Sequence, residues 1–221
     1  METEALWEIL LGNALTLIDD AVRRTGQPVD WSLGGGTVLM LRLNHRQSKD
    51  IDIFISDQQL LGLFSPRLSD FASALTDDYD ESSGHIKLFL PRGEIDIVVA
   101  TPLIETPYET VTLLSRSIKL ERSAEIIAKK MWHRGDRATA RDLLDFASVY
   151  ESDPKSITEA SPFLSRHAYE FLTQISLRQA IGKNATSQAI ASLDSMPVPS
   201  HTSSIGASAT LGTDCSAISS G

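Results

Sequence analysis

At 221 residues, with 42% hydrophobic and 22% charged content, the chain is long enough to bury a core as one compact unit or two small ones, and its composition is globular without pointing to a fold. The single cysteine, Cys215, excludes an internal disulfide and a cysteine metal framework; no apolar run is long enough to span a bilayer, so the cytoplasm is the expected location and no membrane partner is expected. A net charge of -9 and an isoelectric point near 5.0 set a field that repels nucleic acid at long range, so a polynucleotide would have to dock on a local basic strip.

Leu6, Ile9, Leu10, Leu15, Ile18 and Val22 recur at helical spacing and predict an amphipathic helix from about Glu4 to Arg24, stopped by Gly26 and packed on a sheet. Glu2, Glu4 and Glu8 come too early for a basic export leader. A strand entering at Trp31 to Leu33 then reaches Gly34, Gly35 and Gly36, where no Cβ keeps backbone N–H groups from an anion. Thr37 is placed to open a helix, with its hydroxyl and the first free amides facing phosphate oxygens near the positive end of the helix dipole. In the following loop His45 shapes the backbone, and Arg46 suits a phosphate or a nearby carboxylate.

The next strand has period two: Ile51, Ile53 and Ile55 face one side, Asp50, Asp52 and Phe54 the other. The two carboxylates therefore project together. Side chains two apart on a strand lie roughly 7 Å apart, close enough to converge on hard divalent cations such as Mg²⁺ or Mn²⁺. An isolated Asp-x-Asp is more simply a solvated strand face; the glycine turn upstream favours the metal reading.

Asp57 to Ala74 reads as short helices, with Ser65-Pro66 as a start. His85 to Leu90 and Glu94 to Ala100 read as two strands joined by Pro91-Arg92-Gly93. Asp96 falls mid-strand between apolar residues, a costly place for a charge unless it is paired or binds a metal. Thr110 to Leu120 reads as one further strand.

Arg122 to His133 reads as a helix with Ile126, Ile127, Ala128 and Met131 on one face and Lys130 and Arg134 one turn apart, able to reach a triphosphate. Between Lys119 and Arg141 basic residues outnumber acidic ones. Asp142 and Asp145 either orient the base or ribose or pair with Arg137 and Arg141 at helical spacing. His133 has no partner at metal-ligand spacing and reads as a helix residue. Helices continue through Ala140 to Tyr150 and about Pro162 to Ile181. From Gly182 the composition shifts to Ser, Thr, Ala and Gly, with a possible helical turn at Gln188 to Leu193.

Gly35-Gly36-Thr37-Val38-Leu39 with His45-Arg46-x-Ser48-x-Asp50-Ile51-Asp52-Ile53-Phe54, followed by a third acidic strand, resembles the polymerase-beta-type nucleotidyltransferase fold and, more narrowly, the AbiEii/AbiGii nucleotidyltransferase toxins. Glu125-Ile126-Ile127-Ala128-Lys129-Lys130-Met131, Arg134 and Arg141-Asp142-Leu143-Leu144-Asp145 are similar to that family's helical Lys and Arg-Asp motifs, and the likeness spans Trp31 to Phe146. Val38 stands where the family more often has Ala, and of the two adjacent lysines the local frame favours Lys130.

The resemblance and the predicted elements imply an α/β (α+β) fold with a mixed sheet: a nucleotidyltransferase domain over residues 1–118, a helical part over 119–181 that completes the nucleotide site, and a low-complexity tail over 182–221. The implied catalytic set is Asp50, Asp52, Asp96 and Lys130. Nucleotide contacts fall to Gly35, Gly36, Thr37, Arg46, Ser48, Lys130 and Asp142, and metal contacts to Asp50, Asp52 and Asp96. The implied activity is nucleotide transfer from an NTP, with Mg²⁺ or Mn²⁺, to an acceptor such as tRNA, as the toxin of a bacterial toxin–antitoxin or phage-defence pair. The family's antitoxin often acts as a transcriptional repressor, so a stable complex with it is not required. A small-molecule nucleotidyltransferase of the antibiotic-modifying kind, or a nucleotide-binding regulator without turnover, would use the same residues.

Overall fold

The structure, a computed structural model, describes residues 5–179; the predicted turn at Gln188 to Leu193, the tail and the last residues of the final predicted helix lie outside them. Helix α1 (Leu6–Thr25) precedes strand β1 (Trp31–Gly34), helix α2 (Gly35–Leu43) and strand β2 (Asp50–Ile55). A 3-10 turn at Gln58–Phe64 and helix α3 (Asp70–Leu75) lead into β3 (Tyr79–Glu81), β4 (His85–Leu90), β5 (Gly93–Val99), β6 (Tyr108–Leu113) and β7 (Arg116–Glu121). Helices α4 (Ser123–Arg134), α5 (Ala140–Ser152), α6 (Pro154–Leu164) and α7 (Ala168–Gln179) complete the described chain.

The strands form one mixed seven-stranded sheet in the order β3-β4-β5-β2-β1-β7-β6. Parallel pairs join β2 to β5 and β1 to β7, and the other neighbours run antiparallel. The alternation in β2 sets the two faces: Ile51, Ile53 and Ile55 are buried while Asp50, Asp52 and Phe54 are half-buried. Ile86, Leu88, Ile95 and Ile97 extend the buried face across β4 and β5, and α1 covers it with Leu10, Leu11, Ala14, Leu15, Leu17 and Ile18. Each such side chain removed from water contributes about 1.5–3 kcal/mol, and that payoff fixes the register, because a one-residue slip would turn the isoleucines out and the aspartates in.

The structure departs from the sequence reading at five places. Thr110 to Leu120 is not one strand but the hairpin β6–β7, turned at Leu114 and Ser115, both at positive φ (47° and 62°). That geometry suits the twist of a two-residue hairpin but normally draws Asn or Gly, so the sequence carried no turn signal. The helix expected from Pro162 is two helices: Pro154 opens α6 behind the Asp153 cap, Pro162 lies in the last turn of α6, and α7 begins at Ala168. Helix α3 starts not at Ser65-Pro66 but at Ser69, whose hydroxyl accepts from the Ala72 amide. The edge strand β3 was not predicted. The boundary drawn after residue 118 falls inside β7, which stays in the sheet through the Leu33–Leu120 pairing.

Candidate active site

One rung of the sheet builds the floor of the site. Gly34 on β1 lies opposite Asp52 on β2, Asp52 opposite Asp96 on β5, and Asp96 opposite Lys87 on β4. Above this floor an open cleft of about 1170 Å³ separates the polar face of the sheet from α4 and α5; Gly35, Gly36, Arg46, Ser48 and the three aspartates border it, as do Lys130, Arg134 and Asp142. The volume slightly exceeds that of ordinary small-molecule pockets and leaves room for a nucleotide and part of an acceptor.

The glycines are required by close approach. Gly35 sits at φ 70°, and a Cβ there would collide with the Asp52 carboxylate; one at Gly36 would meet the Arg46 guanidinium. Helix α2 begins at Gly35, so its first amides lack intrahelical acceptors beside these charged groups. Thr37 stands apart from its expected role: it is fully buried, and its hydroxyl donates to the Asp50 carbonyl, tying α2 to β2 rather than facing the cleft. Ser48 is nearly buried at the cleft edge, its amide donating to the Met40 sulfur at 3.2 Å.

The carboxylates are unequally neutralised. Lys87 Nζ lies 3.0 Å from Asp96 Oδ2 and 3.0 Å from Glu94 Oε2. Lys87 is partly buried, which opposes its charge, but Asp96 and Glu94 hold its pKa above the ordinary lysine value. The exposed Arg141 approaches Asp50 at 3.6 Å. Among the described residues Asp52 has no such partner: burial, then the charge of Asp96 and to a lesser degree Asp50, push its pKa up to about 7 against the opposing pull of Lys130 and Lys87. Asp96 Oδ1 is buried without a hydrogen-bond partner among the described residues.

The adjacent lysines do different work. Lys129 is buried, 2.5 Å from Glu121 and 3.3 Å from Glu125, with its ammonium 4.0 Å from the centre of the Phe54 ring. Lys130 instead meets Asp142 at 2.8 Å and Asp145 at 3.1 Å. Asp142 also closes a capping box with Thr139; burial works against its charge, yet Lys130 and Thr139 hold its pKa down to about 2. Of the two alternatives for these acids, the helical pairing with Arg137 and Arg141 does not form: Arg141 turns to Asp50, and Arg137 reaches the His133 carbonyl at 3.5 Å. Arg46 binds Asp145 through Nε at 2.6 Å and Nη2 at 3.0 Å. His133 borders the cleft, and burial together with Lys129 and Arg166 lowers its pKa.

Among the described residues no three Asp, Glu, His or Cys side chains stand close enough to hold a metal as they are placed. The donor chemistry nonetheless fits a hard divalent cation, with a buried Asp96 oxygen that has no partner among the described residues and an Asp52 whose pKa is raised to about 7 by burial and by Asp96. Lys87 was missed from the sequence, although its alternation with His85 and Phe89 in the predicted hairpin places it on the Asp96 face. Arg141 as a partner of Asp50 had no sequence signal.

No curated protein is matched by sequence. Among solved structures, the crystal structure of ANT(2'')-Ia in complex with adenylyl-2''-tobramycin superposes with a TM-score of 0.51 at 14% identity, over 74% of this chain and 99% of that one. The solution structure of the antibiotic-resistance factor ANT(2'')-Ia gives 0.50 at 14% identity over 73% and 95%. The nucleotidyltransferase toxin MenT4 from Mycobacterium tuberculosis gives 0.42 at 18% identity over 79% and 65%. The first two place the chain in the nucleotidyltransferase fold. Residues 20–196 match the family described as nucleotidyl transferase AbiEii toxin, type IV TA system, a span that contains the whole cleft, so the chain belongs to the AbiEii family of nucleotidyltransferase toxins.

Proposed function

We propose that this toxin transfers a nucleotide from an NTP to the end of an RNA such as tRNA, with divalent cations and release of pyrophosphate. The observation that carries the reading is the rung of Gly34, Asp52 and Asp96 beneath the start of α2, with Asp52 short of positive charge. The amides of Gly35 and Gly36, with Arg46, Ser48 and Lys130, receive the triphosphate. Asp50, Asp52 and Asp96 are the residues that would hold Mg²⁺ or Mn²⁺, which when bound aligns the α-phosphate and offsets charge on the entering and leaving oxygens. The acceptor oxygen bonds to the α-phosphorus as the α–β bridging bond breaks. Asp96 takes the hydroxyl proton, and Lys130 offsets the charge of the departing pyrophosphate. Asp142 holds Lys130 until the nucleotide arrives.

The cleft rim favours an anionic acceptor. Arg134, Arg137 and Arg141 line it, and Arg141 is 71% exposed. A polycationic aminosugar of the kind bound by ANT(2'')-Ia would be repelled there, whereas an RNA backbone would be attracted despite the acidic chain as a whole. A regulator without turnover has no need of three facing carboxylates. The cognate antitoxin need not bind the toxin at all.

The test is incubation of the purified protein with each α-³²P-labelled NTP, Mg²⁺ and total bacterial tRNA, beside an Asp52→Ala control. Label in RNA that disappears in the control supports the reading and identifies the nucleotide. Retained NTP binding without labelled RNA would sink the tRNA assignment.

A further inference from the structure

Asp145 does not border the cleft, yet it is tied to two of the cations that do. It is fully buried, with a relative exposure of 0%. Its Oδ1 accepts from Arg46 Nε at 2.6 Å and from His45 Nε2 at 2.7 Å, while Oδ2 accepts from Arg46 Nη2 at 3.0 Å and lies 3.1 Å from Lys130 Nζ. One carboxylate thus joins the loop before β2 to helices α4 and α5, across about a hundred residues of chain. Burial opposes its ionisation, but Arg46, Lys130 and His45 hold its pKa below the usual carboxylate range.

Arg46 and Lys130 reach the cleft from different elements, and each is long and flexible enough to miss a triphosphate if left free. The forked bond to Asp145 uses Nε and one hydrogen of Nη2, and Nη1 gives another to the Gln47 carbonyl at 3.2 Å, which leaves two guanidinium N–H groups for a ligand. Lys130 has Asp142 on one side and Asp145 on the other, so an arriving phosphate can replace Asp142 while Asp145 keeps the ammonium in place.

We propose that Asp145 is a positioning residue for the NTP triphosphate, holding Arg46 and Lys130 in one fixed arrangement without touching the ligand; this rests on the nucleotidyl-transfer reading. The proposal makes a prediction opposite in sign to simple electrostatics. Replacing Asp145 by Asn removes a negative charge from beneath an anion site, which by Coulomb's law alone would tighten NTP binding. Loss of positioning weakens it instead.

The experiment is isothermal titration of the full-length protein and its Asp145→Asn variant with the α,β-methylene analogues of ATP, GTP, CTP and UTP in Mg²⁺, which cannot release pyrophosphate, alongside thermal melting. The expected result is about tenfold weaker binding of the analogue preferred by the wild type, the scale of a misplaced binding group. The loss should shrink when Asp145→Asn is made in an Arg46→Ala background, because both changes break one interaction. Asp145→Glu, which keeps the charge but moves the carboxylate out of register with Arg46 and Lys130, should weaken binding in the same direction and decides the matter if Asp145→Asn does not fold. Unchanged or tighter binding by a folded Asp145→Asn or Asp145→Glu variant overturns the proposal. Absence of binding by the wild type would bring down the nucleotide reading itself, a different failure.

Discussion

Asp52 and Asp96 face each other across two parallel strands, and the lysine that neutralises the pair lies 3.0 Å from Asp96, on the far side from Asp52. The asymmetry leaves Asp52 as the weak point of the site, with its pKa pushed up to about 7 by burial and by Asp96. A group raised above its unfolded value of 3.8 costs stability progressively as pH rises from near 4 through 7. In the absence of divalent cations, Asp52→Asn should therefore melt higher than the wild type at pH 8, by on the order of 2 kcal/mol after allowance for screening in the open cleft, and no higher at pH 4. Thermal melts at the two pH values check this; an equal shift at both would mean that the burial of Asp52, not its charge, is what matters.

Lys129 and Lys130, neighbours in sequence, should separate cleanly by mutation. Lys129→Ala leaves Glu121 and Glu125 buried without their cation and is expected to cost about 3–5 kcal/mol of stability. Lys130→Ala should lose less stability, since Asp142 keeps Arg134 and Thr139 and Asp145 keeps Arg46, but should weaken NTP binding by about tenfold or more. Denaturant melts and nucleotide titrations on the two variants would show whether the assignments should be exchanged.

Gly35→Ala tests the glycine requirement directly. At φ 70° the added Cβ is strained, and it points into the Asp52 carboxylate, so that side chain has to move. The expected outcome is a stability loss of about 1–2 kcal/mol with nucleotide transfer reduced roughly a hundredfold. Gly12→Ala, with open space around the site of the new methyl, serves as the control for a harmless glycine change.

Lys87→Met should leave Asp96 without its ammonium while filling similar space. Turnover is expected to fall about tenfold, with the KM for NTP changed far less, because Lys87 is on the Asp96 side of the floor and the proposed triphosphate contacts are on the other. A rise in the KM for NTP with kcat intact would move Lys87 to the nucleotide side of the site.

Much of the site floor was legible because β2 is half-buried: a period-two strand with isoleucines on one face can only send Asp50 and Asp52 to the other. Lys130 was legible for a similar reason, from the apolar stripe of its helix. What the sequence hid depends on contacts between distant segments. Asp145 meets Arg46 across 99 residues, and at helical spacing it had nearer arginines that it does not use. Thr37 was misassigned because a hydroxyl at a helix start suits a phosphate and a neighbouring strand carbonyl equally well, and only packing chose the second. The turn at Leu114 and Ser115 was hidden because neither residue is one that normally adopts its backbone conformation.

The passage of β7 straight into α4 constrains how the enzyme can admit its substrate. The last strand residue, Glu121, and the helix residue Lys129 are locked together beneath Phe54, so the start of α4 is held to the sheet rather than hung on a linker. A hinge at that junction would have to separate a buried ion pair, which makes wholesale opening of the two walls expensive. On the proposed reading, entry of a nucleotide then becomes a matter of exchanging partners at the mouth: Lys130 would trade Asp142, and Arg141 would trade Asp50, for phosphate, while the backbone around them stays where it is.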